Sequence, residues 1–130
     1  KNFHADHHPA YHTFSSYGSS KLQNLLFSHV LAKQLQHSNV TSNAIHPGVV
    51  DSELYRQLPK LQYRVVSLAL IPASKPAQLI KKMALDKSWA KTNGQYASVQ
   101  TPALRSPKSK DMPLAQQLYD LSYDLIKQYL

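Results

Sequence analysis

The chain has 130 residues, 42% of them hydrophobic, enough for one modest core and a single domain. It has no cysteine, which excludes disulfides, thiolate chemistry and Cys-based zinc sites and leaves the redox compartment undetermined. The net charge of +8 is unevenly placed: eleven Lys or Arg and one acid, Asp86, lie between Arg56 and Lys110, a zone open to anionic lipid, nucleic acid, a phosphorylated ligand or plain solvation.

Residues 1–14 hold His4, His7, His8, His12, Asp6 and Pro9 without apolar periodicity and read as a surface loop. The histidine spacing would suit a transition metal, but no regular scaffold or downstream ligand accompanies it, so no metal site is assigned. The stretch has no apolar core like that of a signal peptide. The chain opens on Lys1 rather than methionine, as expected of a processed product or a piece of something longer.

From about Ser16 to Gln36, Leu22, Leu25, Leu26, Val30, Leu31 and Leu35 recur at three-and-four spacing, which predicts an amphipathic helix with a broad buried face. "HSN" at 37–39 is its predicted stop, Asn39 tolerating a left-handed backbone. "VTSNAIH" (40–46) predicts a buried strand ended by Pro47. "DSELYRQL" (51–58) predicts a short helix capped by Asp51 or Ser52 and broken by Pro59.

Residues 61–71 predict a helix or a partly apolar lid, and "VVSLALI" (65–71) is far shorter than the roughly 18 apolar residues of a membrane span. Residues 75–90 predict a helix with Pro76 in its first turn and Trp89 as its anchor. "NGQYASV" (93–99) reads as a turn and a second strand, and 101–111 as a loop. Leu114, Leu118, Leu121, Leu125 and Ile126 stripe a terminal helix.

Helices alternating with strands indicate an α/β fold, yet two short strands are too few for the sheet such helices cover. Residues 1–130 therefore read as a single partial domain, the second half of an α/β domain, whose uncovered faces favour association into a homo-oligomer or molten behaviour.

On the long helix Tyr17 and Lys21 are one turn apart. A phenol ordinarily titrates near 10, and bringing one near 7 takes roughly 4 kcal/mol, whereas an exposed ion pair contributes about 0–1 kcal/mol. Such a pair does acid–base chemistry only with a desolvated pocket or a second positive charge such as an oxidised nicotinamide. Tyr123 and Lys127 share the spacing, so the distinction must lie elsewhere.

After one helix and one strand Tyr17 is followed by "NAIHPGVVDSEL" (43–54), a Pro-Gly turn at the carboxyl end of a strand, where open α/β folds bind ligands. There Gly48 would let backbone approach a planar ring, and N–H groups near Val50 with the Ser52 hydroxyl could bond a carboxamide. Nothing similar comes after Tyr123, which reads as structural. His46 reads as packed at the strand end rather than as a base.

"YGSSK" (17–21), the apolar helix behind it, "VTSNAIHPGVVDSEL" (40–54) and the "GQY" strand resemble the C-terminal half of short-chain dehydrogenases/reductases, closest to the retinol-dehydrogenase and WW-domain-oxidoreductase-like branch, over about residues 11–130. The resemblance implies the C-terminal portion of a Rossmann-like doubly wound parallel sheet, with the N-terminal nucleotide-binding half absent. It implies Tyr17 as general acid/base and Lys21 holding the nicotinamide ribose and favouring the phenolate. Pro47, Gly48, Val50 and Ser52 would receive the nicotinamide of NAD or NADP, Ser52 standing where the family usually has threonine. The substrate would be a lipophilic alcohol or carbonyl, oxidised or reduced by hydride transfer.

The family's glycine-rich loop, Asn-Ala-Gly stretch and catalytic serine precede its tyrosine; here Ser15 is too close to Tyr17 to be that serine. Gly18, Gly48 and Gly94 cannot write a G-x-G-x-x-G or P-loop, so the segment alone is expected to be inactive and to need the missing half as partner. The alternative is a non-catalytic interaction module whose helices and basic surface serve a protein or membrane partner. Nucleic acid is a minor reading, because aromatics are thin in the basic zone. The location stays open between the cytoplasm and the periphery of an organelle membrane.

Overall fold

The computed structural model describes residues 13–51, 59–68, 70–99 and 105–129. Helix α1 spans Thr13–Gln34, beginning before the predicted Ser16, so Thr13 and Phe14 are helical rather than the end of a loop. The rest of that loop, with its histidines and Asp6, lies outside the described residues. The helix stops where the Ser38 hydroxyl and N–H both donate to the Leu35 carbonyl at 2.9 Å. Asn39 supplies no left-handed stop: among the described residues positive φ occurs only at Gly48 and Gly94. A serine side chain fills the role expected of asparagine.

The next elements are strand β1 (Ala44–His46), helix α2 (Lys60–Ser67), helix α3 (Ser74–Leu85), strand β2 (Tyr96–Ser98) and helix α4 (Met112–Ile126). Short 3-10 turns follow α3 at Lys87–Trp89, precede α4 at Pro107–Lys110 and follow it at Lys127–Tyr129. The chain divides into two compact units: Lys1–Ala44, Asn93–Gln95 and Arg105–Leu130 form one, Ile45–Thr92 and Tyr96–Leu104 the other.

In the first unit the apolar spacing of α1 meets that of α4. Leu26 and Val30 pack on Ala115 and Leu118, with Leu22, Leu114 and Tyr119 at the edges. Helix α4 is started by Asp111, whose carboxylate accepts the Leu114 N–H at 2.9 Å, and by Pro113 in the first turn. Of its predicted stripe Leu118 is buried, Leu114 and Leu121 are half-buried, and Leu125 and Ile126 are exposed.

Another part of α1 faces the turn before β2: Asn93 Nδ2 donates to the Ala32 carbonyl at 2.8 Å, and Ser28 and Ser42 hydroxyls bond each other at 3.0 Å.

The strands pair as a two-stranded sheet. Ala44 N–H donates to Gln95 O at 2.8 Å and Val99 N–H to His46 O at 3.4 Å, so the register rises along both chains and the pair is parallel. β1 is shorter than the predicted 40–46 because side chains take over its start: Asn93 Oδ1 accepts the Ser42 N–H, and Asn43 Oδ1 accepts the Gln95 N–H, each at 2.9 Å. Both strands are half-buried, not buried as predicted for the first, as befits a sheet of two. The fold is a small α/β arrangement in which parallel strands are joined through helices.

The helix predicted over 51–58 lies outside the described residues except for Asp51. The one predicted over 75–90 ends at Leu85, because Asp86 turns extended (φ −80, ψ 130) and its carboxylate accepts the Ser88 N–H at 2.8 Å. That bond holds the Asp86 carboxyl below its ordinary range. Trp89 consequently sits half-buried on a 3-10 turn, outside α3. Among the described residues no helix is long and apolar enough to cross a membrane.

The α1–α4 seam carries the first unit's core. Leu26→Ala should lower the urea midpoint of the helical circular-dichroism signal by the equivalent of about 2–5 kcal/mol. Leu125→Ala on exposed α4 surface should stay within about 0.5 kcal/mol.

Candidate active site

Helical geometry alone puts Lys21 beside Tyr17 near the start of α1. The Lys21 ammonium lies over the Tyr17 ring, 5.2 Å from its centroid, a cation–π contact. The Ser20 hydroxyl donates to the Tyr17 carbonyl at 2.8 Å. Tyr17 is 63% exposed, so the first unit leaves its ring open to whatever approaches that end of the helix. Gly18, next to it, would place a Cβ within 4 Å of nothing. Glycine inside a helix costs roughly 0.5–1 kcal/mol against alanine, and packing among the described residues gives no reason for it.

The second Tyr–Lys pair is built differently. Lys127 Nζ pairs with Asp124 Oδ1 at 3.0 Å, so its ammonium is engaged by a carboxylate one turn back. Identical spacing, within α1 and across the end of α4, thus yields two electrostatic arrangements.

The turn after β1 belongs to the second unit. Pro47 is exposed, and Gly48 adopts φ 77. A Cβ there would lie 2.8 Å from Ile71 Cδ1 and 3.0 Å from Val99 Cγ2. The glycine is required by backbone conformation and by these two side chains, a reason beyond the close approach of a ring. Ile71 and Val99 are what sequence reasoning missed; their only signal was an apolar residue ending each of two short runs, "LALI" and "ASV".

Val50 forms a parallel bridge with Ile71: Ile71 N–H donates to Val49 O at 2.8 Å and Asp51 N–H to Ile71 O at 3.0 Å. The Asp51 N–H is therefore taken, while bridge geometry turns the Val50 N–H toward the opposite edge. Ser52 lies outside the described residues. His46 stacks on Tyr96, centroids 6.4 Å apart and planes at 14°, a packed ring at the strand end. Among the described residues no group of three or more His, Asp or Glu could hold a metal ion.

The structure thus brings Tyr17 and Lys21 together in one unit, and Gly48 and Val50 around Ile71 in the other. Both groups fall in a stretch that known proteins share. The family model described as short chain dehydrogenase matches residues 7–62. Human retinol dehydrogenase 12 is 37% identical over 113 residues, covering 85% of this chain and 36% of the relative. Over these spans the chain is similar to short-chain dehydrogenases.

Human retinol dehydrogenase 11 is 31% identical over 118 residues, covering 89% of this chain and 37% of that protein. The chloroplastic short-chain dehydrogenase TIC 32 A of Brassica napus is 34% identical over 122 residues, covering 86% and 37%. The chain spans little more than a third of the length of these curated relatives, and it is retinol-dehydrogenase-like over the matched stretch. The matched span includes Tyr17, Lys21, Pro47, Gly48, Val50 and Ser52.

If conformation and packing demand Gly48, Gly48→Ala should cost at least about 1–2 kcal/mol from the left-handed backbone alone, read by urea denaturation. Ile71→Val, which removes the clashing Cδ1, should then be less costly in the Gly48→Ala background than in the parent. Additive costs would show that Ile71 does not press on this position.

Proposed function

We propose that this chain is a segment of an NAD(P)-dependent oxidoreductase acting on a lipophilic alcohol or carbonyl, with Tyr17 as general acid/base assisted by Lys21. The observation that carries the reading is the Lys21 ammonium set 5.2 Å from the Tyr17 ring at the open start of α1, inside the span that matches short-chain dehydrogenases. The names of the retinol dehydrogenase relatives support a lipophilic substrate. Residues 1–130 on this reading are one partial domain, the C-terminal catalytic and substrate half of such an enzyme.

When bound, the nicotinamide would accept or donate the hydride. The phenolate of Tyr17 takes the proton of the substrate hydroxyl as the C–H bond gives up its hydride, and in reduction the phenol returns that proton to the carbonyl oxygen. Lys21 would set its positive charge beside the Tyr17 ring and bond the ribose hydroxyls of the bound dinucleotide. A left-handed turn without a Cβ at the carboxyl end of a strand fits the flat end of a dinucleotide. Pro47 and Gly48 would lie against it, with the Val50 N–H and the Ser52 hydroxyl available to its carboxamide. The three glycines of this chain cannot form the helix-start loop that holds a pyrophosphate, so that grip must come from outside these residues.

Two measurements test the proposal. Residues 1–130 alone should show no micromolar affinity for NAD(H) or NADP(H) in fluorescence or calorimetric titration, and tight binding would refute the partial-domain reading. In a full-length enzyme containing the segment, Tyr17→Phe should lower kcat by about 10²–10⁴-fold with cofactor affinity little changed. Lys21→Ala should slow turnover and also weaken cofactor binding. Tyr123→Phe is the matched control and should leave kcat unaltered; equal losses for the two tyrosines would overturn the assignment.

A further inference from the structure

Among the described residues the three most exposed large aliphatic side chains are Leu68 at 89%, Leu61 at 76% and Leu85 at 74%. All three lie in the second unit and inside the stretch that holds eleven basic residues and one acid. Exposed leucines set among cations are unusual for solvated surface, where single apolar residues scatter without pattern.

Helix α3 shows the arrangement most fully. Pro76 is buried and Leu79 and Met83 are half-buried, at i, i+3 and i+7, which fixes its inward side. Leu85 projects opposite. Lys81 and Lys82, both exposed, stand four and three residues before it and therefore flank it on that outer face. Gln78, Lys81, Lys82, Leu85 and Asp86 line one shallow depression. Asp86 is the lone acid of that stretch; its carboxylate accepts the Ser88 N–H and also feels the charge of Lys82. Exposed Ile80, with exposed Ala77 and Ala84 at i−3 and i+4, adds a second apolar strip. Helix α2 carries the same motif on a smaller scale, Leu61 beside exposed Lys60 and Arg64.

We infer that α3 and its basic surroundings dock on an anionic lipid surface, with Leu85 as the apolar anchor and Lys81 and Lys82 at headgroup level. A protein interior laid over Leu85 would bury the ammonium groups beside it, at a desolvation cost that burial of one leucine does not offset. A membrane interface accepts both, since the leucine enters the acyl boundary while the lysine stems lie along it and their charges stay among phosphates. Single-stranded nucleic acid would need stacking rings, and Tyr63, Trp89 and Tyr96 are each half-buried. The inference is independent of any role for Tyr17 and Lys21.

The test is co-sedimentation of the 130-residue chain with phosphatidylcholine vesicles, with and without about 30% phosphatidylserine. Binding is expected only with the anionic lipid. Lys81→Gln/Lys82→Gln should weaken it by about 30-fold, and Leu85→Ser by about tenfold or more, with the helical circular-dichroism signal unchanged. Two variants in the first unit are controls: Lys33→Gln/Lys108→Gln removes the same charge, and Leu125→Ser removes an exposed leucine. Each should change binding by less than about threefold. Equal losses in the controls, equal binding to neutral vesicles or no binding would overturn the inference, as would self-association that Leu85→Ser abolishes in place of lipid binding.

Discussion

The packing of α1 on α4 is the contact on which the first unit depends. Ala115, fully buried, is small enough to let the two helices close on each other, and Leu26 and Val30 fill the space around it with Leu118. The seam is extended by polar and aromatic contacts: Phe27 stacks on Tyr119 at 5.1 Å, and the Tyr119 hydroxyl donates to Gln34 Oε1 at 2.9 Å. These anchors lie in the middle and last turns of α1. The first turns, where Tyr17 and Lys21 stand, are the part that the seam leaves open. The helix is thus anchored along its middle and last turns and presents its first turns, with Tyr17 exposed.

A second constraint operates at the turn after β1. The chain must leave the strand in a left-handed conformation, and Ile71 and Val99 occupy the volume a side chain would need. Glycine is therefore doubly demanded at 48, once by φ and once by sterics. The Val50–Ile71 bridge then draws the chain beyond the turn to the segment that follows α2. A Pro-Gly pair that looks like a ligand motif is, in physical terms, first a folding requirement.

Helix positions were legible because apolar spacing and proline placement are local signals: Leu22, Leu26 and Val30 report their face directly. Boundaries were less so, because short polar side chains decide them. Ser38 ends α1, Asp86 ends α3, and Asn43 and Asn93 shorten β1, in each case by offering the backbone a partner that competes with regular structure. The half-exposed stripe of α4 was not legible, because periodicity states that a face is apolar and not how far its partner extends. The Tyr17–Lys21 pair was legible as a spacing, and in the sequence only the Pro-Gly turn thirty residues downstream separates it from Tyr123–Lys127. The structure adds a local distinction, Lys21 over an aromatic face and Lys127 against a carboxylate.

That contrast extends to the whole chain's electrostatics. Four of the seven acids are committed to nearby donors: Asp86 to the Ser88 N–H, Asp111 to the Leu114 N–H, Asp120 to Gln116 and Asp124 to Lys127. Three of these bonds cap a helix or turn or brace one from within; Asp124 pairs directly with Lys127, and Asp86 feels the charge of Lys82 as well. Fifteen basic residues against seven acids already leave a surplus, and acids engaged by backbone donors are placed for folding rather than for neutralisation. The positive field over the second unit is therefore a consequence of where the acids are used as well as of how many lysines there are. A field of that kind acts beyond contact distance, out to about a Debye length of 8 Å at physiological salt. It favours an anionic partner before any apolar contact forms, and the exposed leucines then determine whether the encounter lasts.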